Sequence, residues 1–147
     1  MKTILAIVVA TALAVFSVTQ TAPAQAISSI KTQLQTTIFH SGELAQRGTV
    51  LAGPLLHLQH VVNCLEGTNG PNFRSAVGHV CQGQGNGILP DLNAAQAAGV
   101  RGADKALRFA NIALTLSLQA LRTTDVNEAQ PWALVISRQL RIASDSL

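Results

Sequence analysis

Four histidines and two cysteines carry most of the chemistry this 147-residue chain could perform, and five of those six lie between His57 and Gly87. That stretch, HLQHVVNCLEGTNGPNFRSAVGHVCQGQGNG, also holds six of the eleven glycines. His57 and His60 are three residues apart and His60 and Cys64 are four apart, so a continuous helix sets all three on one face at successive turns. Two imidazoles at that spacing can share one transition-metal ion such as zinc or copper, because neutral imidazole is the commonest protein ligand for both. A His pair needs further ligands to make a site. His79 is expected as the third, carried towards the pair by a bond between Cys64 and Cys81. Glu66 offers an oxygen at the helix end. His40 joins only if the preceding helix folds back alongside.

A competing reading needs no ligand. His57 and His60 could pack against the glycine-rich loop and hydrogen-bond carbonyls that no regular ladder reaches. The loop would then present Asn69, Asn72, Phe73 and Arg74 to a protein partner. Non-covalent haem held by histidine is a further option, with Phe109 and leucines lining a bundle interior. Covalent haem is disfavoured by the absence of CxxCH. Methionine ligation is excluded beyond the start, since Met1 is the only methionine.

The elements that must position these groups read as helices. Met1-Lys2, the apolar run Ile4 to Val18 and the small-x-small ending Ala24-Gln25-Ala26 predict a secretory signal over residues 1–26. The run is short of the ~20 residues that span a bilayer, so no transmembrane anchor is expected after its removal. Export to a periplasmic or extracellular space makes a Cys64–Cys81 disulfide the simplest use of the cysteines. About 120 residues remain, enough for one domain, 27–147.

Ile27, Ile30, Leu34, Ile38, Leu44, Ala45 and Leu51 recur at helical spacing, and Gly53-Pro54 is expected to break or kink that helix. Leu55, Leu58, Val61, Val62 and Leu65 continue to a glycine C-cap at Gly67. Residues 67–90 have no period and read as one long loop. Asp91 to Arg122 reads as one long helix despite Gly99 and Gly102. Asp125 with Glu128 suggests a capping box for a last helix from Val126 to about Ser144, burying Ala129, Ala133, Ile136, Leu140 and Ala143. The expected fold is all-α, an antiparallel three- or four-helix bundle with one disulfide-stapled, Gly-rich loop between its second and third helical segments.

Composition narrows the function. Apart from Lys2 every charge lies beyond residue 26, leaving a net +2 spread singly along the chain with no Tyr and one Trp. That is no nucleic-acid surface, which needs a clustered basic face or stacking aromatics. QGQGNG lacks the flanking strand of a phosphate-binding glycine loop. Enzyme chemistry is disfavoured: a disulfide consumes the thiols, no nucleophile elbow appears, and several carboxylates have structural roles, Asp125 and Glu128 as a cap and Asp104 beside Arg101 and Arg108.

The segment LQHVVNCLEG followed by CxGxGxG resembles a pattern of small exported bacterial helical proteins. The resemblance covers Leu58 to Gly87 and implies that His60, Asn63, Cys64, Glu66, Gly67, Cys81, Gly83 and Gly85 act as one unit, without implying an activity. In architecture the chain is also similar to exported four-helix metal or haem bundles, though it lacks their haem-attachment or His-dense repeats. The expected function is therefore a non-enzymatic metal- or haem-binding protein, with a structural or interaction module as the alternative. A protein partner or homo-oligomer is left open.

Overall fold

The computed structural model describes residues 22–147, and every regular element in that span is helical. Residues 1–21, most of the expected leader, lie outside the described residues, and Ala22 to Ala26 open the first helix. Five α-helices follow in order: α1 Ala22–Phe39, α2 Ala52–Glu66, α3 Ile88–Ala97, α4 Ala103–Ala120 and α5 Val126–Asp145. A π-helical segment, His40–Ala45, extends α1, and a single 3₁₀ turn, Ser75–Val77, interrupts the long loop. None of the described helices is long and apolar enough to cross a membrane.

Much of the core is built from the expected stripes: Ile30 and Leu34 of α1, Leu58, Val61 and Leu65 of α2, and Ile136 and Leu140 of α5 are fully buried. Ile88 and Leu92 of α3 join them, Ile88 from within the expected loop. The buried residues of α4 are all small, Ala103, Ala106, Ala110, Ala113, Ser117 and Ala120, with Leu107, Phe109, Leu114 and Leu116 packed half-buried around them. Alanine faces let two backbones approach closely, and α4 packs most extensively on α5, which buries Ala129, Ala133 and Ala143.

Three expected boundaries differ. Gly53-Pro54 does not break the chain. The break comes earlier, at Gly48 to Leu51, and Pro54 sits in the first turn of α2. A first-turn amide has no intrahelical acceptor, so proline loses nothing there. The single helix expected over Asp91 to Arg122 is two, and five helices stand where three or four were expected. Gly99 and Gly102 adopt φ of +70° and +83°, in the left-handed region, and a Cβ on Gly102 would collide with the Ser146 carbonyl. The start of α3 also precedes the expected end of the loop at Pro90, because Pro90 again occupies a first turn.

At α5, Asp125 caps as expected, accepting from the Asn127 amide at 2.8 Å. Glu128 does not complete the box. Its carboxylate accepts from Thr123 Oγ1 at 2.6 Å instead. Asp104 pairs with Arg108 at 3.4 Å on the surface, and Asp91, in the first turn of α3, accepts from Asn86 and Gln33.

The loop between α2 and α3 is fastened rather than floppy. Cys64 of α2 is bonded to Cys81, with Cα atoms 5.4 Å apart. Gly67 and Gly87, at its two ends, cross so closely that a side chain on either would strike the other strand's backbone. Buried Asn63 accepts from the Arg74 amide at 2.9 Å and donates to the carbonyls of Arg74 at 2.9 Å and Gly78 at 2.8 Å. The Glu66 carboxylate accepts from both the backbone and side-chain N–H groups of Asn72, each at 2.7 Å.

Closing 17 residues of sequence separation constrains the unfolded chain. Replacing both Cys64 and Cys81 by serine is expected to cost about 3 kcal/mol, the chain-entropy value for a loop of this size. Urea unfolding of the two forms measures it. A change well under 1 kcal/mol would mean that the polar anchors alone confine the loop.

Candidate metal centre

His40, His57 and His60 meet where the end of α1 folds back on α2. The chain reverses over Gln46 to Leu51, which satisfies the condition for His40 to reach the pair. His40 opens the π-helical segment, a wider turn that is rarely stable and recurs at functional sites. From there its Nδ1 lies 3.2 Å from Nδ1 of His57 and 3.3 Å from Nδ1 of His60. One ligand atom from each ring falls within 4.8 Å of the other two. His60 is buried, while His40 and His57 are half-buried, so the cluster is held by the protein on one side and open on another. The edge of the Phe39 ring packs on His40, centroids 5.9 Å apart.

The hydrogen bonds fix which nitrogens are available. Nε2 of His60 donates to the Val77 carbonyl at 2.7 Å, since a carbonyl can only accept. Neutral His60 therefore carries its proton on Nε2 and a bare lone pair on Nδ1. Nδ1 of His40 must then supply the one proton lying between it and its neighbours. Replacing that proton by a cation would leave the Nδ1 lone pair of His40 free beside Nδ1 of His57 and of His60, 3.2 and 3.3 Å away. Tetrahedral zinc with Zn–N of about 2.0–2.1 Å places adjacent nitrogens roughly 3.3–3.4 Å apart. Both His40 separations match that spacing. The bond from His60 to Val77 is also the outer-shell contact that metal-bound imidazoles ordinarily make through their second nitrogen.

Electrostatics disfavour protonation of His40 and His57. Burial, with the neighbouring His60 and His57 imidazoles adding to it, lowers the pKa of His40 from 6.5 to about 4. Burial, then His60, lowers that of His57. Between pH 6.5 and about 4 the unfolded chain binds protons that the folded chain refuses. Stability is thus intact above pH 6.5 and declines as pH falls towards 4. Melting temperatures of the metal-free protein at pH 7.5, 6, 5 and 4 should show this decline, and His40→Gln should flatten it. An identical pH profile in that variant would contradict the assignment.

The remaining expected site residues lie elsewhere. His79 does not join the cluster. Its ring packs edge-on against Phe73 at 5.3 Å, its Nδ1 is buried without a hydrogen-bond partner, and burial lowers its pKa. The disulfide anchors the Cys81 backbone to α2, yet the turn before it directs residue 79 into the loop's own interior. Glu66 is occupied by Asn72. Of the loop residues expected to face a partner, Asn69 and Arg74 are exposed, whereas Asn72 and Phe73 are half-buried within the loop. No protein-family model, curated protein or solved structure matches this chain.

Proposed function

We propose that the protein is an exported, non-enzymatic metal-binding protein that takes one zinc or copper(II) ion on His40, His57 and His60. The convergence of three imidazole Nδ1 atoms, two separations being 3.2 and 3.3 Å, carries this reading. Three neutral nitrogen donors suit zinc and copper over calcium or magnesium, which prefer oxygen. The same crowding speaks against a bis-imidazole haem, whose two axial imidazoles stand on opposite faces of a macrocycle that would have to fit between them. The leader-like start and the disulfide support export.

Native mass spectrometry with elemental analysis of tag-free protein, followed by zinc titration, tests the proposal. One ion per chain and a raised melting temperature are expected. Metal-free protein with no thermal shift in excess zinc or copper would end it.

The bond from His60 to Val77 favours a second reading, in which the histidines serve the loop. That reading gives His60 a role and leaves the approach of His40 and His57 unused. It requires His40→Ala to be silent in every metal titration.

A further inference from the structure

Away from the histidines, the loop and the end of α4 border an open cleft of about 360 Å³. Its lining is more polar than apolar: Phe73, Leu118 and Leu121 supply the apolar part, Gln59 and Asn72 contribute amides, and its only charged members are Arg74 and Arg122. A volume of this order suits a small organic ligand.

Among the described residues neither arginine side chain is engaged. Among the described residues the ion pairs are Glu43–Arg47 and Asp104–Arg108, and no side-chain hydrogen bond is made by Arg74 or Arg122. Arg122 has no helix end to serve, because the final carbonyls of α4 already accept from the amides of Leu121, Arg122 and Thr123. Arg74 is exposed, yet its own backbone is clamped on both sides by buried Asn63, which accepts from its N–H and donates to its C=O. An arginine on a loop tip would ordinarily wander. Here the backbone beneath it is held by a fully buried side chain, so its guanidinium leaves from a fixed point.

We propose that this cleft binds a small amphiphilic carboxylate, its anionic head between Arg74 and Arg122 and its apolar body against Phe73, Leu118 and Leu121. The planar guanidinium fork matches a carboxylate in two parallel hydrogen bonds, and the absence of any acidic group in the lining leaves that charge uncontested. Phe73, Leu118 and Leu121 form one apolar side on which an alkyl or aromatic body gains burial that a bare anion could not use. The site is separate from the histidine cluster and requires no metal.

Octanoate titrated into the metal-free, disulfide-intact protein and followed by amide NMR is the test. Saturable shifts centred on Phe73, Arg74, Leu121 and Arg122 are expected. Arg74→Gln and Arg122→Gln should each weaken binding on the order of tenfold with unchanged melting temperature, since both side chains are exposed. Octylammonium, with the same body and opposite charge, should not bind there, and inorganic phosphate should bind much more weakly. Absent or unsaturable shifts would overturn the proposal, as would unchanged affinity in the double glutamine variant. Equal binding of octylammonium would remove the role of the arginines, and equal binding of phosphate would remove that of the apolar wall.

Discussion

Replacing His40 by alanine is expected to lower zinc affinity on the order of 100-fold. Structural zinc sites supply about 10–16 kcal/mol from four ligands, so one imidazole is worth roughly 3 kcal/mol. The His40 nitrogen stands 3.2–3.3 Å from both partners and is the vertex through which they are related. Removing it leaves His57 and His60 as a helical pair with no third protein donor. The metal-free variant should lose little stability near pH 7, because His40 is half-buried and its ring is uncharged there. Near pH 5 it should gain on the wild type, since the protonation that folding suppresses at His40 no longer opposes folding. Competition with a chelating dye gives the affinity, and calorimetry at the two pH values gives the stability. Undiminished affinity would move the site elsewhere.

Asn63→Ala is the substitution expected to damage the fold most, by about 2–4 kcal/mol. Its amide satisfies the Arg74 N–H and the carbonyls of Arg74 and Gly78, while Gln59 Nε2 donates to its Oδ1 at 3.1 Å. Each partly buried backbone group left without a partner costs about 1–3 kcal/mol, partly recovered where water can enter. Asn63→Asp separates the roles, because a carboxylate keeps the acceptor for Arg74 N–H and loses both donations. Denaturant unfolding should rank wild type above either variant. Losses below 1 kcal/mol in both would mean that the disulfide holds the loop without Asn63. The variant also bears on the metal reading through Val77, whose carbonyl orients His60 from the segment Asn63 restrains. A weakened loop should therefore reduce zinc affinity without touching a ligand.

Local pattern accounts for much of the architecture. Leu58, Val61 and Leu65 are spaced so that only one helical face can bury them, and Gly67 ends that face because its φ of +71° is open to glycine. Ala129, Ala133, Ile136, Leu140 and Ala143 define the interior of α5 for the same reason. Cysteine number and the leader-like start pointed to the disulfide through chemistry alone. The split of α3 from α4 was less legible: glycines can sit within a helix, and what excludes a side chain at Gly102 is the carbonyl of Ser146, distant in sequence.

Helical geometry alone sets His57 and His60 on one face, because 3.6 residues per turn relates them whatever else the chain does. The cysteine count likewise leaves Cys64 a single partner. Only the tertiary structure decided the third imidazole. His79 had the better argument along the chain, being two residues from Cys81, yet a disulfide constrains a backbone position and leaves the next side chains free to turn into the loop. His40 had no local relation to the pair, and its arrival depends on the reversal at Gln46 to Leu51 and on the π-helical turn that opens at His40 itself. Proximity across 17 and 20 residues is a property of packing, which no local period encodes.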